Sequence, residues 1–167
     1  RPTMSTNDFA GACLEGRDVN FEETGNQIAC PFLEEGICLI YEARPFSCRM
    51  MISEQTCSAG RPALVPAHYF AASTAVSQII EHLGQREYWG NMLDVLPALC
   101  DISEHEAVSR HINTTVMMHA RMQTLTARPL PGFLFTEEED KTVSPLLHAI
   151  FDARIDGKRI EDILNGL

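Results

Sequence analysis

Apolar side chains recur at helical spacing through most of the chain after residue 66, and at no sustained spacing before residue 30. Over residues 66–83, Tyr69, Ala72, Val76, Ile79, Ile80 and Leu83 fall on one helical face, with Gly84 as a stop. A second helix is expected over 85–96, ended by Pro97. The clearest is expected over 104–126. Ser103 and Glu106 would cap it, the hydroxyl meeting the Glu106 amide and the carboxylate reaching back. Val108, Ile112, Val116, His119, Met122 and then Leu125 or Thr126 make its buried stripe. The run Arg128-Pro-Leu-Pro-Gly132 breaks the pattern and reads as a linker. A helix over 137–154, a turn at Asp156-Gly157 and a last helix over 158–164 complete the chain.

The first part of the chain is different. Residues 1–29 are polar and turn-rich, with Gly11, Gly16 and Gly25, and read as irregular. From residue 30, two short apolar runs flank Glu34-Glu35-Gly36, which suggests a small hairpin with Cys30 and Cys38 on opposite arms. Pro45 suits the first turn of a short helix, with Arg44 kept out of the helical region before it. The fold expected is mainly α. A small irregular cysteine-rich module, hairpin plus short helix, spans 30–61. A helical region follows over 62–128, and a linker with C-terminal helices over 129–167. The chain shows no internal repeat and no low-complexity tract.

Composition narrows the function classes. The chain has 167 residues, 45% hydrophobic and 22% charged, which is ordinary for one globular domain with or without a small appendage. Thirteen basic against 23 acidic residues leave a net charge of −10, which repels a phosphate backbone. No local basic patch offsets it, so no nucleic-acid partner is expected. The uncharged stretch 63–80 carries Pro66, His68, Ser73, Thr74, Ser77 and Gln78, too polar for a membrane span. With no apolar signal segment at the start, a cytoplasmic location is expected. The chain opens on Arg1, so residues upstream or a processed start are expected.

Cysteine use adds candidate chemistry. Of six cysteines, Cys30, Cys38, Cys48 and Cys57 follow the spacing C-x7-C-x9-C-x8-C, while Cys13 and Cys100 stand apart. In a reducing compartment, clustered cysteines read first as metal ligands or redox thiols. Four thiolates suit a closed tetrahedral zinc site and equally an iron–sulfur cluster. The alternative is a disulfide pair or buried free thiols, which is the preferred reading for Cys13 and Cys100. No C-x-x-C knuckle is present, so the ligands would converge from a hairpin, a short helix and a loop. Arg44 and Arg49 flank Cys48. Their charge would offset that of a zinc tetrathiolate, formally −2, unless they pair with Glu34, Glu35 or Glu42 on the surface.

The run Cys30-Pro-Phe-Leu-Glu-Glu-Gly-Ile-Cys38-Leu-Ile-Tyr-Glu-Ala-Arg-Pro-Phe-Ser-Cys48-Arg49 resembles the core of the YkgJ family of zinc- or iron-chelating cysteine-cluster proteins. Cys30, Cys38, Cys48 and Cys57 each match a family cysteine, and Tyr41, Arg44, Pro45 and Arg49 match its signature. The resemblance implies a metal ion, zinc or iron, held by those four cysteines. It extends more loosely to bacterial flagellin lysine-N-methylases, which implies an alternative, a methyltransferase-like or redox enzyme using the cluster. No Gly-rich nucleotide loop supports methyl transfer. The family's earlier C-x-x-C and Cys-Cys cluster has no counterpart in this sequence beyond Cys13. It is expected to precede Arg1 or to have been lost, leaving residues 1–29 packed little against the core. A third reading is a helical interaction module with structural thiols and an unidentified protein partner.

Other residues carry less. Met117, Met118, His119 and Met122 with His111 could form a soft copper(I) site, but such a run is more often a Met-filled helix core. His68, His82, His105 and His148 read as surface or satisfied histidines. The run Glu137-Glu-Glu-Asp140 complements a helix dipole and lacks calcium-loop spacing. Asn113-Thr-Thr115 matches a glycosylation acceptor without the context for one. Motifs of serine hydrolases, zincins, Rossmann enzymes and P-loop NTPases are missing.

Overall fold

A computed structural model describes residues 2–19, 30–56, 61–100, 107 and 110–166. The elements in chain order are α1 (Thr6–Leu14), β1 (Leu33–Glu34), β2 (Ile37–Cys38), a 3-10 turn (Tyr41–Ala43), α2 (Phe46–Arg49) and α3 (Ala67–Leu83). Then come β3 (Tyr88–Trp89), α4 (Met92–Leu99), α5 (Thr114–Gln123), β4 (Leu125–Thr126), α6 (Glu137–Asp152), β5 (Arg154–Ile155), β6 (Lys158–Arg159) and α7 (Ile160–Leu164). The protein is mainly α. It divides into two compact units, one made of Arg1–Val19 with Ala67–Leu167 and the other of Asn20–Pro66.

Helix α3 is the spine of the first unit and forms where the apolar period places it. Ala71, Ala75 and Ile79 meet Val143 and Leu147 of α6 in the core, with Phe133, Phe135, Ile150, Phe151 and Leu164 packed around them. Phe133 stacks on Phe135 with ring centroids 5.5 Å apart, and Phe151 tilts against it at 6.5 Å. Alanines on α3 let α6 approach closely while the aromatic rings supply area. Thr136 starts α6 with a complete capping box, its hydroxyl accepting from the Glu139 N–H and Glu139 Oε2 accepting from the Thr136 N–H. The acidic run therefore sits at the positive end of the helix dipole, as the sequence suggests.

Four expectations need correction. Residues 1–29 are not wholly irregular. Ser5 caps α1 by accepting from the Asp8 N–H, and Ser5, Asn7, Ala10 and Ala12 are buried. Residues 20–29 lie outside the described residues. The 85–96 helix is displaced: Tyr88–Trp89 forms a strand, and Asn91 caps α4 over Met92–Leu99 through the Leu93 N–H. Pro97 sits inside α4, close enough to its end to forfeit only the bond to Leu93.

The 104–126 helix is not continuous. Residues 110–112 form turns and bends, and Asn113 restarts the chain as the cap of α5, accepting from the Thr115 N–H at 2.8 Å. Ser103, Glu106 and Val108 lie outside the described residues. Met117 and Ala120 are the buried residues of α5, whereas Val116 and Met122 are exposed. Leu125–Thr126 is a strand, pairing with β3 in the register Tyr88↔Thr126 and Trp89↔Leu125.

Residues 128–132 are not a free linker. The Arg128 N–H donates to Glu81 Oε1 at 2.9 Å, the Leu130 N–H to His82 Nδ1 at 2.7 Å, and Gly132 accepts from Gln78 Nε2 at 3.0 Å. Three polar side chains within one stretch of α3, at 78, 81 and 82, strap this extended run down. The stripe expected on α3 accordingly shares only Ile79 with its buried set, and Ile80 and Leu83 are exposed.

Candidate metal centre

The second unit holds the cysteine cluster. Its hairpin forms as expected, with Leu33↔Cys38 and Glu34↔Ile37 paired antiparallel. Glu35 and Gly36 both have positive φ, 48° and 81°, as a type I′ connection requires. The Leu33 N–H donates to the Cys30 carbonyl at 2.9 Å, and the Leu39 N–H to that of Phe32 at 2.8 Å. Cys30 thus stands one turn before β1, and Cys38 ends β2.

Arg44 is extended before Pro45 (φ −59°, ψ 131°), and Pro45 is the N-cap of α2. The Cys48 N–H donates to the Pro45 carbonyl at 3.0 Å, so Cys48 sits in the first turn of α2. The arginines do something other than expected. Arg44 lies over the Tyr41 ring, 3.8 Å from its centroid, and donates to the Tyr41 carbonyl. Arg49 donates to the carbonyls of Arg44 and Glu42, each at 2.8 Å. Among the described residues, neither pairs with a carboxylate. Arg49 instead ties α2 to the 3-10 turn.

Cys38 and Cys48 are half-buried and Cys30 is exposed; all three are free thiols. Cys57 lies outside the described residues. No group of three or more His, Cys, Asp or Glu among the described residues is placed to hold a metal. Cys30, Cys38 and Cys48 therefore do not by themselves make a donor set. No described residue of this unit is buried, and Ile37, Leu39 and Tyr41 are 69%, 61% and 57% exposed. Described residues with no buried side chain gain little folding energy from apolar burial, so a module of this size draws it from elsewhere.

Elsewhere, Cys13 is half-buried on α1 of the helical unit, and the Cys100 thiol donates to the Leu96 carbonyl at 3.3 Å, both as ordinary free thiols. Met118 and His119 are exposed and Met117 is buried, so the Met-rich run is divided between core and surface. Sequence reasoning passed over Asn7, Gln78 and Glu81, whose buried polar contacts join distant segments of the helical unit. The available signal was polar residues at i, i+3 and i+4 on α3 beside Ile79.

An open groove between α4 and α5, of about 380 Å³, is lined by Leu93, Asp94, Pro97, Val116 and His119. No helix among the described residues is long and apolar enough to cross a membrane. Comparison with protein-family models, curated proteins and solved structures finds no match.

Proposed function

We propose that the cysteine-rich unit binds a metal ion, zinc or iron, the latter including an iron–sulfur cluster, through Cys30, Cys38, Cys48 and Cys57. The observation that carries this reading is a unit with ordered turns, free thiols and no buried side chain among its described residues. Thiolate–metal bonds supply folding energy that its described residues do not gain by burial. The frame also suits the role, since the type I′ turn and the Pro45 cap fix the backbone at Cys38 and Cys48. Arg49 holds the segment between them without using either thiol. The resemblance of residues 30–57 to the YkgJ core supports the same ligands. No residue is assigned a catalytic role.

The test is elemental analysis and visible absorption of anaerobically purified protein. About one equivalent of zinc without colour, about one of iron with thiolate charge-transfer bands, or about two to four of iron with matching sulfide for a cluster is expected. Cys38→Ser and Cys57→Ser should each lower the content severalfold. A metal-free chain, or metal content indifferent to these substitutions, would overturn the reading.

A further inference from the structure

His82 lies near the end of α3, half-buried, with both ring nitrogens committed to backbone groups of distant segments. Nδ1 is 2.7 Å from the Leu130 nitrogen in the strap, and Nε2 is 2.8 Å from the Leu164 carbonyl oxygen at the end of α7. A backbone N–H can only donate, so Nδ1 must be the acceptor. The proton of the neutral ring then sits on Nε2, where a carbonyl waits for it. One tautomer of one charge state satisfies both contacts.

We propose that His82 is a proton-operated fastener of the strap. When the ring takes a second proton, Nδ1 becomes a donor facing the Leu130 N–H. That contact is lost, whereas the Nε2–H bond to Leu164 persists. The response is therefore one-sided: the strap loosens at Leu130 while α7 stays attached. The fastener is closed when the ring is neutral and open when the ring carries two protons.

The elements that bond the ring carry Arg128 on the strap, 3.4 Å from Asp8 of α1, and Glu161 and Asp162 on α7. Glu81 is its neighbour on α3, and Arg86 and Glu87 follow in the chain. Helix α6, which packs on α3, carries Glu137, Glu138, Glu139, Asp140, Lys141, His148 and Asp152. Glu81 is already occupied by two backbone N–H groups, from Asn7 and Arg128. Its bond to Arg128 and that of Gln78 to Gly132 hold the strap on either side of Leu130. Opening is thus confined to the middle of the strap.

Amide hydrogen exchange on the full chain tests the proposal. Across the pH range over which the ring NMR signals show His82 taking its second proton, Leu130 should lose about tenfold in protection after correction for intrinsic rates. Protection of amides in α6 should hold steady. In His82→Gln that pH dependence should vanish. A Leu130 protection that ignores pH, or that follows pH equally in the variant, overturns the proposal. Should the variant fail to fold, ring nitrogen NMR of the wild-type protein at pH 8 decides. An Nε2–H tautomer with bare Nδ1 supports the fastener, and the opposite tautomer refutes it.

Discussion

The Asn7 N–H meets Glu81 Oε2 at 2.9 Å across 74 positions of sequence, and Glu81 has no exposed surface. The other carboxylate oxygen accepts the Arg128 N–H, so one buried side chain joins α1, α3 and the strap. Removing it leaves two backbone donors without partners, each worth about 1–3 kcal/mol when stranded. Glu81→Ala is expected to lower unfolding free energy by about 2–4 kcal/mol, and Glu81→Gln by about half as much, because one acceptor survives. Urea unfolding measures both. A loss below about 1 kcal/mol in Glu81→Ala would mean that water replaces the carboxylate.

Asn7 repeats the device from the other side. Its Nδ2 donates to the carbonyls of Gln78 and Arg128, at 3.1 and 2.9 Å, while its buried Oδ1 has no partner among the described residues. Asn7→Ala strands those carbonyls. Asn7→Asp strands them too and adds a carboxylate to the buried surroundings of Glu81. The aspartate variant should therefore be the less stable of the two at pH 7, despite its closer shape. The reverse order in parallel urea curves would show that the two donated bonds matter little.

These contacts explain what the sequence could and could not say. The span of α3, the acidic start of α6 and the Glu35-Gly36 turn depend on neighbours within a few positions, and their residue types announce them. The strap does not. Arg128-Pro-Leu-Pro-Gly132 has linker chemistry, and only three polar side chains some 50 positions away turn it into a packed element. The start of α4 falls later than the apolar pattern suggests because Tyr88–Trp89 pairs as a strand with Leu125–Thr126 and Asn91 then caps the helix. In the cysteine-rich unit the hairpin and the Pro45 start were legible. The arginines were not, because Arg49 spends its donors on carbonyls that no sequence spacing marks as available.

That use of Arg49 separates the two arginines experimentally. Arg49 bonds two carbonyls on the segment leading into α2, whereas Arg44 makes one bond and a ring contact. On the metal-binding reading, Arg49→Ala should reduce metal per chain more than Arg44→Ala. Arg49→Lys should recover only part, since an ammonium lacks the planar fork. Equal metal content in the two alanine variants would remove Arg49 from the framework of the site.

Two hairpins of the protein carry the same turn chemistry in different units, which gives an internal control. Glu35-Gly36 and Asp156-Gly157 both have positive φ at both positions, 48° and 81° against 50° and 83°. A β-branched residue resists that conformation by about 1–2 kcal/mol. Gly36→Val should lower metal content and leave the urea midpoint of the helical unit in place. Gly157→Val should shift that midpoint and leave metal content unchanged. If both variants lose metal alike, the hairpin is not what positions Cys38.

The pH response of the α6 cap follows from its geometry. The Thr136 N–H bond to Glu139 holds this carboxyl below its ordinary range, the Thr136 hydroxyl adds to the effect, and slight burial works against it. Because the folded value is depressed, the contribution of the cap is complete above the ordinary glutamate value. It disappears as pH falls through the depressed one. Thr136→Ala removes the hydroxyl but keeps the N–H, so the Glu139 titration should move only partway up. Thr136→Pro removes both donors, and the backbone there, φ −71°, already suits a proline. Its Glu139 titration should move further, toward the ordinary value. Carboxyl-carbon NMR titrations of the three proteins give the order directly. An alanine variant that moves as far as the proline one would assign the whole effect to the hydroxyl and leave the backbone N–H with no share in it.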